Sequence, residues 1–325
     1  MTSTADPVAA VLAAHADGAE VALATSATSG GARVVVRSTA SWFDSFPTVA
    51  RLCGLDSGSR LWLPGPLTST MNLFAAVHAA SLGVPRVGSP TDASHAVLTP
   101  SALWALLDEG APAGLVVVVA GDRHGPALHD RAVAAGLQVH HYYGAAELSF
   151  VAWGAHAGDL GPFPGVEVDV RDGEIWVRTP YLCRGYDGPP GPLRITADGF
   201  ATVGDRGVLS DGRLVVSGRP DAVVVSGTTV QTADVEALLR PFASGDLAVV
   251  GLPHDRLGHL LVVVLTDRQD LGRVRAAGRD RLDGARRPRA WFHLPRLPVT
   301  AAGKTDRQAV VSLLRDEGGG ARRLG

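Results

Sequence analysis

The chain has little of several things that would fix its class at once. Its 325 residues include two cysteines, Cys53 and Cys183, too few for the disulfide framework of a small secreted domain, so a reducing cytoplasm is the expected setting. Apolar runs such as 115–120 and 260–265 fall far below the roughly 18 residues of a membrane helix, and no membrane segment is expected. Residues 1–7 carry no basic stretch, which argues against a secretory leader. A formal net charge of −2, from 30 basic and 32 acidic side chains, offers no polyanion-seeking surface and argues against nucleic acid as a partner. His-Glu-x-x-His, Cys-x-x-Cys and Gly-x-Ser-x-Gly are all missing, which removes the zinc protease, zinc ribbon and α/β-hydrolase readings. The 11 histidines have no ligand spacing and read as surface or packing residues.

Lysine is the scarcest charged residue. Among the 30 basic side chains only Lys304 is a lysine. A compact ammonium on a flexible stem suits a place where one point charge must fit between two anionic oxygens, a task for which the planar guanidinium used elsewhere is poorly shaped.

What the chain does have is a hydrophobic content of 46% over 325 residues, enough for a sizeable core and about two domains. The densest glycine and polar punctuation falls at 202–236. There Val208-Leu209 and Leu214-Val215-Val216 flank Ser210-Asp211-Gly212-Arg213, and Asp-Gly between short apolar runs predicts a hairpin. Ser217-Gly218-Arg219-Pro220-Asp221 then breaks any element before Val223-Val224-Val225, which predicts a hinge between domains 1–220 and 221–325. Folding the hairpin would bring the Asp205 carboxylate and the Arg219 fork to one edge, a pairing suited to a ligand with hydroxyls and phosphate.

Elsewhere the pattern alternates helix and strand. Helices are expected over 8–16 and 69–82, from an opening at 97–101 through 107 with Thr99 or Ser101 as cap, and over 128–135, 233–239 and an arginine-rich 271–282. Strands are expected at 21–24, from 61 into the turn Pro64-Gly65-Pro66, and at 115–120, 137–141, 248–252, 260–265 and 291–294. The fully apolar 115–120 run predicts a sheet covered on both faces. The loop Thr25-Ser26-Ala27-Thr28-Ser29-Gly30-Gly31-Ala32-Arg33 could turn hydroxyls and N–H groups toward a phosphate, or be a plain surface loop. Tyr142-Tyr143-Gly144-Ala145-Ala146-Glu147 at a strand's end offers a ring for a flat base and a carboxylate for Mg²⁺. Gly303-Lys304-Thr305 is not a Walker loop, because Pro298 stands where that motif needs glycine. Trp62, Leu67, Met71, Phe74 and Phe150 are candidate linings of a pocket for an apolar or aromatic acid, each also readable as core.

These stretches together resemble the adenylate-forming superfamily of acyl-CoA synthetases, adenylation domains and luciferases. The resemblance rests on Tyr143-Gly144-Ala145-Ala146-Glu147, Gly204-Asp205, Gly218-Arg219-x-Asp221, Gly227, Val235-Glu236 and Leu297-Pro298-x-Thr300-x-x-Gly303-Lys304-x-Asp306-Arg307. Weaker matches are the 25–33 loop, Gly121-Asp122, Asp172-Gly173-Glu174 and Arg184-Gly185-Tyr186. It implies an α/β fold with a large N-terminal α/β domain, shorter at its start than is usual for the family, and a small, mobile α+β C-terminal lid. The compact layout is most similar to the o-succinylbenzoate–CoA ligases. The implied activity is ATP-dependent activation of a small carboxylic acid to an acyl-adenylate, then transfer to a thiol, with ATP, Mg²⁺ and CoA as cofactors and co-substrates.

By the same resemblance Lys304 is the adenylation lysine, Glu147 the Mg²⁺ ligand and Asp221 the lid hinge. Tyr143, with Gly144, takes the adenine, for which Gly121 lines the site. Asp205 holds the ribose and Arg219 the ribose and phosphate, with Gly227 beyond them, while Thr25, Ser26, Thr28, Ser29, Gly30 and Arg33 cradle phosphate. Ala27, Ala32, Arg33 and Ala146 depart from the family pattern. Two other readings stay open: an adenylating enzyme serving a carrier protein, an amine or another small nucleophile, and a catalytically silent nucleotide binder. A homodimer is a candidate assembly.

Overall fold

The computed structural model describes residues 6–25, 33–188, 190–218, 222–225, 228–254, 258–300, 303–316 and 318–325. The chain divides into two compact units, one of Met1–Val216 with Ala301–Gly303 and one of Ser217–Thr300 with Lys304–Gly325.

The first unit is built on a seven-stranded sheet ordered Arg86–Val87, Leu61–Trp62, His95–Leu98, Val116–Val119, Gln138–Ala145, Ser149–Gly154, Gly161–Pro162. Its strands run parallel from Arg86–Val87 to Gln138–Ala145, and the last two pairings are antiparallel. Parallel neighbours require a crossover, and the helices Thr70–Ser81, Pro100–Glu109 and Pro126–Ala134 supply it. The Val116–Val119 strand shows why its sequence is unbroken valine. Val117 and Val119 pack with Leu98, Leu103 and Leu128 on one face, while Val118 joins Phe74 and Phe150 on the other. Each such buried valine contributes about 1.5–3 kcal/mol. Of the two candidate caps for the Pro100–Glu109 helix, Thr99 does the work, its Oγ1 accepting from the Ala102 N–H at 3.3 Å.

A three-stranded sheet joins Glu20–Thr25, Arg33–Ser38 and Gly185–Asp187, and a six-stranded sheet gathers strands between Glu167 and Gly218. The expected hairpin is present as Arg206–Ser210 and Arg213–Gly218. Asp211 at φ 51° and Gly212 at φ 73° are both left-handed, as a two-residue turn matched to the strand twist requires.

In the second unit Gly258–Leu265 lies between Ala222–Val225 and Ala290–His293, with Leu247–His254 also paired to it. Its alternate residues serve two cores. Leu261, Val263 and Leu265 pack with Val235 and Leu239 of the helix Thr232–Leu239 and Val274 of the helix Leu271–Arg281. Val262 and Val264 pack with Val310 and Leu314 of the helix Arg307–Arg315. Among the described residues, no helix is long and apolar enough to cross a membrane.

Candidate active site

The tyrosine motif lies where two strands turn. Gln138–Ala145 runs past the expected 137–141 and pairs antiparallel with Ser149–Gly154, so Tyr143 and Gly144 are strand residues and not the start of a loop. The register shifts between Tyr143 and Gly144. A Cβ at Gly144 would stand 2.2 Å from the Ser149 carbonyl oxygen, so only glycine lets the strands approach this closely. Ser149 takes the left-handed φ of 61°, and Leu148 N–H closes the turn on Ala145 O at 3.1 Å. Glu147 is thereby carried at the apex of a tight turn, 5% exposed. Val119 pairs with His141 in the adjacent parallel strands. Two residues further along each, Gly121 and Tyr143 stand level at the carboxyl ends of those strands, the edge at which open α/β sheets bind ligands.

Tyr143 and Asp205, 62 residues apart in sequence, meet here. The Tyr143 hydroxyl donates to Asp205 Oδ2 at 2.7 Å. Asp205 is held from behind. Its carbonyl accepts from Ile175 N–H at 2.8 Å, and Gly204 before it, at φ 82°, donates its N–H to Thr202 Oγ1 at 3.0 Å. Thr202 Oγ1 in turn donates to Glu174 Oε1 at 2.7 Å, which gives the Asp172-Gly173-Glu174 block a supporting part.

Glu147 Oε1 accepts from the Tyr186 hydroxyl at 2.8 Å, and that hydroxyl accepts from Leu193 N–H at 3.2 Å. Burial, then the Glu147 charge, pushes the Tyr186 phenol well above its usual range, so it stays protonated and remains the donor. No ion pair among the described residues reaches Glu147. Among the described residues this nearly buried carboxylate has one hydroxyl donor and no ion pair, the Arg37 guanidinium acting on it only through space, a donor set that fits a hard divalent cation completed by phosphate and water oxygens.

Thr25 and Arg33 pair across the mouth of the expected phosphate loop. Ser26, Thr28, Ser29 and Gly30 lie outside the described residues, as do Arg219, Asp221 and Gly227. In the second unit, Lys304 sits near the tip of a small hairpin. Val299 bridges Thr305, Thr300 N–H donates to Lys304 O at 2.7 Å, Lys304 N–H reaches Thr300 Oγ1 at 3.3 Å, and Asp306 N–H bonds Pro298 O at 2.8 Å. Asp306 Oδ1 then caps the Arg307–Arg315 helix through Ala309 N–H at 2.9 Å, and Arg307 pairs with Glu236 at 2.9 Å. The Leu-Pro-x-Thr and Asp-Arg ends of the motif are the scaffold of the lysine's loop.

Of the candidate pocket residues, Met71 lines a cleft of about 100 Å³ with Pro64, Pro66, Asn72 and Thr99. Phe74 and Phe150 belong to the core, edge to face at 5.0 Å, and Trp62 and Leu67 pack partly buried against the core clusters. Four histidines are neighbours: His124 with His129 at 5.9 Å and His141 at 5.6 Å between ring centroids, and His129 with His156 at 5.3 Å. Among the described residues no group of three or more His, Cys, Asp or Glu is placed to hold a metal.

Sequence reasoning missed Arg37. It is 1% exposed, its Nε donates to Ser41 Oγ at 2.9 Å, its Nη1 to Ala146 O at 3.2 Å, and its Nη2 to Tyr181 O. The only signal was a charge at the end of the valine run 34–36.

No protein-family model matches the chain. Among curated proteins it is 32% identical over 288 residues to a probable 2-succinylbenzoate–CoA ligase of Mycobacterium tuberculosis, covering 83% of this chain and 74% of that protein. The chain belongs to the adenylate-forming acyl-CoA ligases. This ligase is also 27% identical over 331 residues to an uncharacterized acyl–CoA ligase, YhfT, of Bacillus subtilis, covering 90% of this chain and 68% of that one. A variant of E. coli MenE with bound OSB-AMS shares the fold at a TM-score of 0.75 and 23% identity, over 92% of this chain and 69% of its own. The mixed α/β architecture expected of the ligase is thus the one observed.

Proposed function

We propose that the ligase activates a small carboxylic acid with ATP, releasing pyrophosphate, and passes the acyl group to the thiol of CoA. The observation that carries this reading is that Tyr143 meets Asp205 at the carboxyl ends of the parallel strands, with Glu147 buried in the turn that follows. The Tyr143 ring would stack on adenine with its hydroxyl locked by Asp205, whose carboxylate would also take the ribose hydroxyls. The 25–33 loop, with Thr25, Ser26, Thr28, Ser29, Gly30 and Arg33, would cradle the β- and γ-phosphates.

In the first step a carboxylate oxygen bonds to the α-phosphorus as the bond to the bridging oxygen breaks, that oxygen leaving with the electron pair in pyrophosphate. Lys304 would place one ammonium between the attacking carboxylate and the α-phosphate, offsetting charge that grows in the transition state. Mg²⁺, when bound at Glu147, supplies neutralisation of phosphate charge. Arg219 would contact phosphate and ribose, and rotation about Asp221, with Gly227 beyond it, would withdraw Lys304 before the second step. There the CoA sulfur bonds to the acyl carbon, its proton is lost, and AMP departs with the electrons of the acyl C–O bond. A cytoplasmic setting suits the two unpaired thiols, Cys53 and Cys183.

The test is pyrophosphate release across aromatic, dicarboxylic and fatty acids, with CoA, a carrier-protein thiol and amines as acceptors in separate arms. Lys304→Ala is expected to lose adenylation by at least about a hundredfold, the scale of a removed transition-state partner, while still forming thioester from supplied acyl-adenylate. Equal loss of both steps would overturn the assignment, and AMP release with only a non-CoA acceptor would replace CoA.

A further inference from the structure

Arg37 has no part in the chemistry described so far, yet it occupies one of the most demanding positions in the first unit. Filling space there with a cationic fork is costly, since an apolar side chain of similar length avoids desolvating a charge. Burial lowers the Arg37 guanidinium to about 10 even though Cys183 and Glu147 pull the other way. Its three nitrogens are nonetheless all engaged, and two of them grip main-chain carbonyls far along the chain, Ala146 O at a separation of 109 residues and Tyr181 O at 144.

Both carbonyls frame Glu147. Ala146 is the residue before it, in the turn that carries it. Tyr181 opens the segment in which Cys183 N–H donates to Glu147 O at 2.8 Å and Tyr186 donates to Glu147 Oε1. Arg37 is also the penultimate residue of the Arg33–Ser38 strand, whose pairing with Gly185–Asp187 sets Tyr186 opposite Val35. One strand therefore leads from the expected phosphate loop to both supports of the carboxylate. One is a fork under the turn, and the other is a register that aims the tyrosine. With Oε1 taken by Tyr186, Oε2 is the carboxylate oxygen for a cation.

We propose that Arg37 is a positioning residue for divalent-metal-assisted nucleotide binding, fixing the Glu147 turn so that its carboxylate meets the metal on the phosphates. The inference rests on the reading of Glu147 as the metal carboxylate. Lysine cannot reproduce it, because a point charge cannot span a hydroxyl and two carbonyls in a planar fork.

The test compares wild type, Arg37→Met, Arg37→Lys, Tyr186→Phe and Glu147→Gln by calorimetric ATP binding with Mg²⁺ or with EDTA, by Mn²⁺ binding in electron paramagnetic resonance, and by KM for ATP and acid. Arg37→Met and Arg37→Lys are expected to weaken ATP binding about tenfold or more with metal and less than twofold without it. They should lower Mn²⁺ affinity in the ATP complex and leave KM for the acid unchanged, and Tyr186→Phe should follow in the same direction. Equal weakening with and without metal in folded Arg37→Lys, or no weakening, would overturn the proposal. If Arg37→Met does not fold, Arg37→Lys and Tyr186→Phe decide it. A Glu147→Gln protein with undiminished metal dependence would instead sink the reading of Glu147 itself.

Discussion

The residues that matter most here are set by what their neighbours forbid. At Gly144 any side chain would meet the Ser149 carbonyl at 2.2 Å. Gly144→Ala is expected to cost about 1–3 kcal/mol, the usual range for overpacking, read as a lower urea midpoint with unchanged slope, and to displace Glu147 with the turn. Tyr143→Phe keeps the ring but removes the donor to Asp205. A hydrogen bond to a charged group contributes about 1.5–3 kcal/mol, so KM for ATP should rise tenfold or more if the locked hydroxyl orients the base and ribose sites together. An unchanged KM would mean that the ring alone binds. Tyr143, Glu147, Asp205 and Lys304 could be named as candidates from the sequence because their motifs are local. Arg37 could not, since two of its three hydrogen bonds go to carbonyls more than a hundred residues away.

At the scale of elements, local chemistry was read well and pairing poorly. Asp211-Gly212 announced its hairpin because two left-handed residues in a row leave few alternatives. The Gln138–Ala145 strand was cut short, since Gly-Ala-Ala looks like a turn until its antiparallel partner is known. The short Leu61–Trp62 strand ends just before Pro64, which cannot donate to a ladder. The helix Arg307–Arg315 was hidden behind the lysine motif that precedes it, although Asp306 is an ordinary cap. Asp306→Ala should cost about 1 kcal/mol, as for other lost caps. Hydrogen exchange should then rise first in the opening turn of that helix and in the 298–306 hairpin. Uniform exchange across the second unit would show that the cap is not local.

At the scale of the molecule, the buried histidines tie stability to acidity. Burial pushes His78 and His141 down to about 4, and lowers His124 to about 3 with help from its histidine neighbours. Unfolded, each would titrate near 6.5, so between those values the unfolded chain binds more protons and stability rises with pH. The contribution is complete above about pH 6.5 and is lost as pH falls toward 4 and then 3. Melting temperature should therefore drop steeply over that window. His124 is fully buried with neither ring nitrogen partnered, so His124→Leu should flatten the drop and raise the melting temperature near pH 5. A parallel curve in the variant would place the acid sensitivity elsewhere.

The lone lysine in its hairpin has a practical corollary. A lysine-specific protease has one bond to cut in the entire polypeptide, the one after Lys304, and the closure of Thr300 and Asp306 around it makes that bond a reporter. Cleavage of native protein would register opening of one small loop, and an amine-directed probe would mark one internal position with no engineering at all.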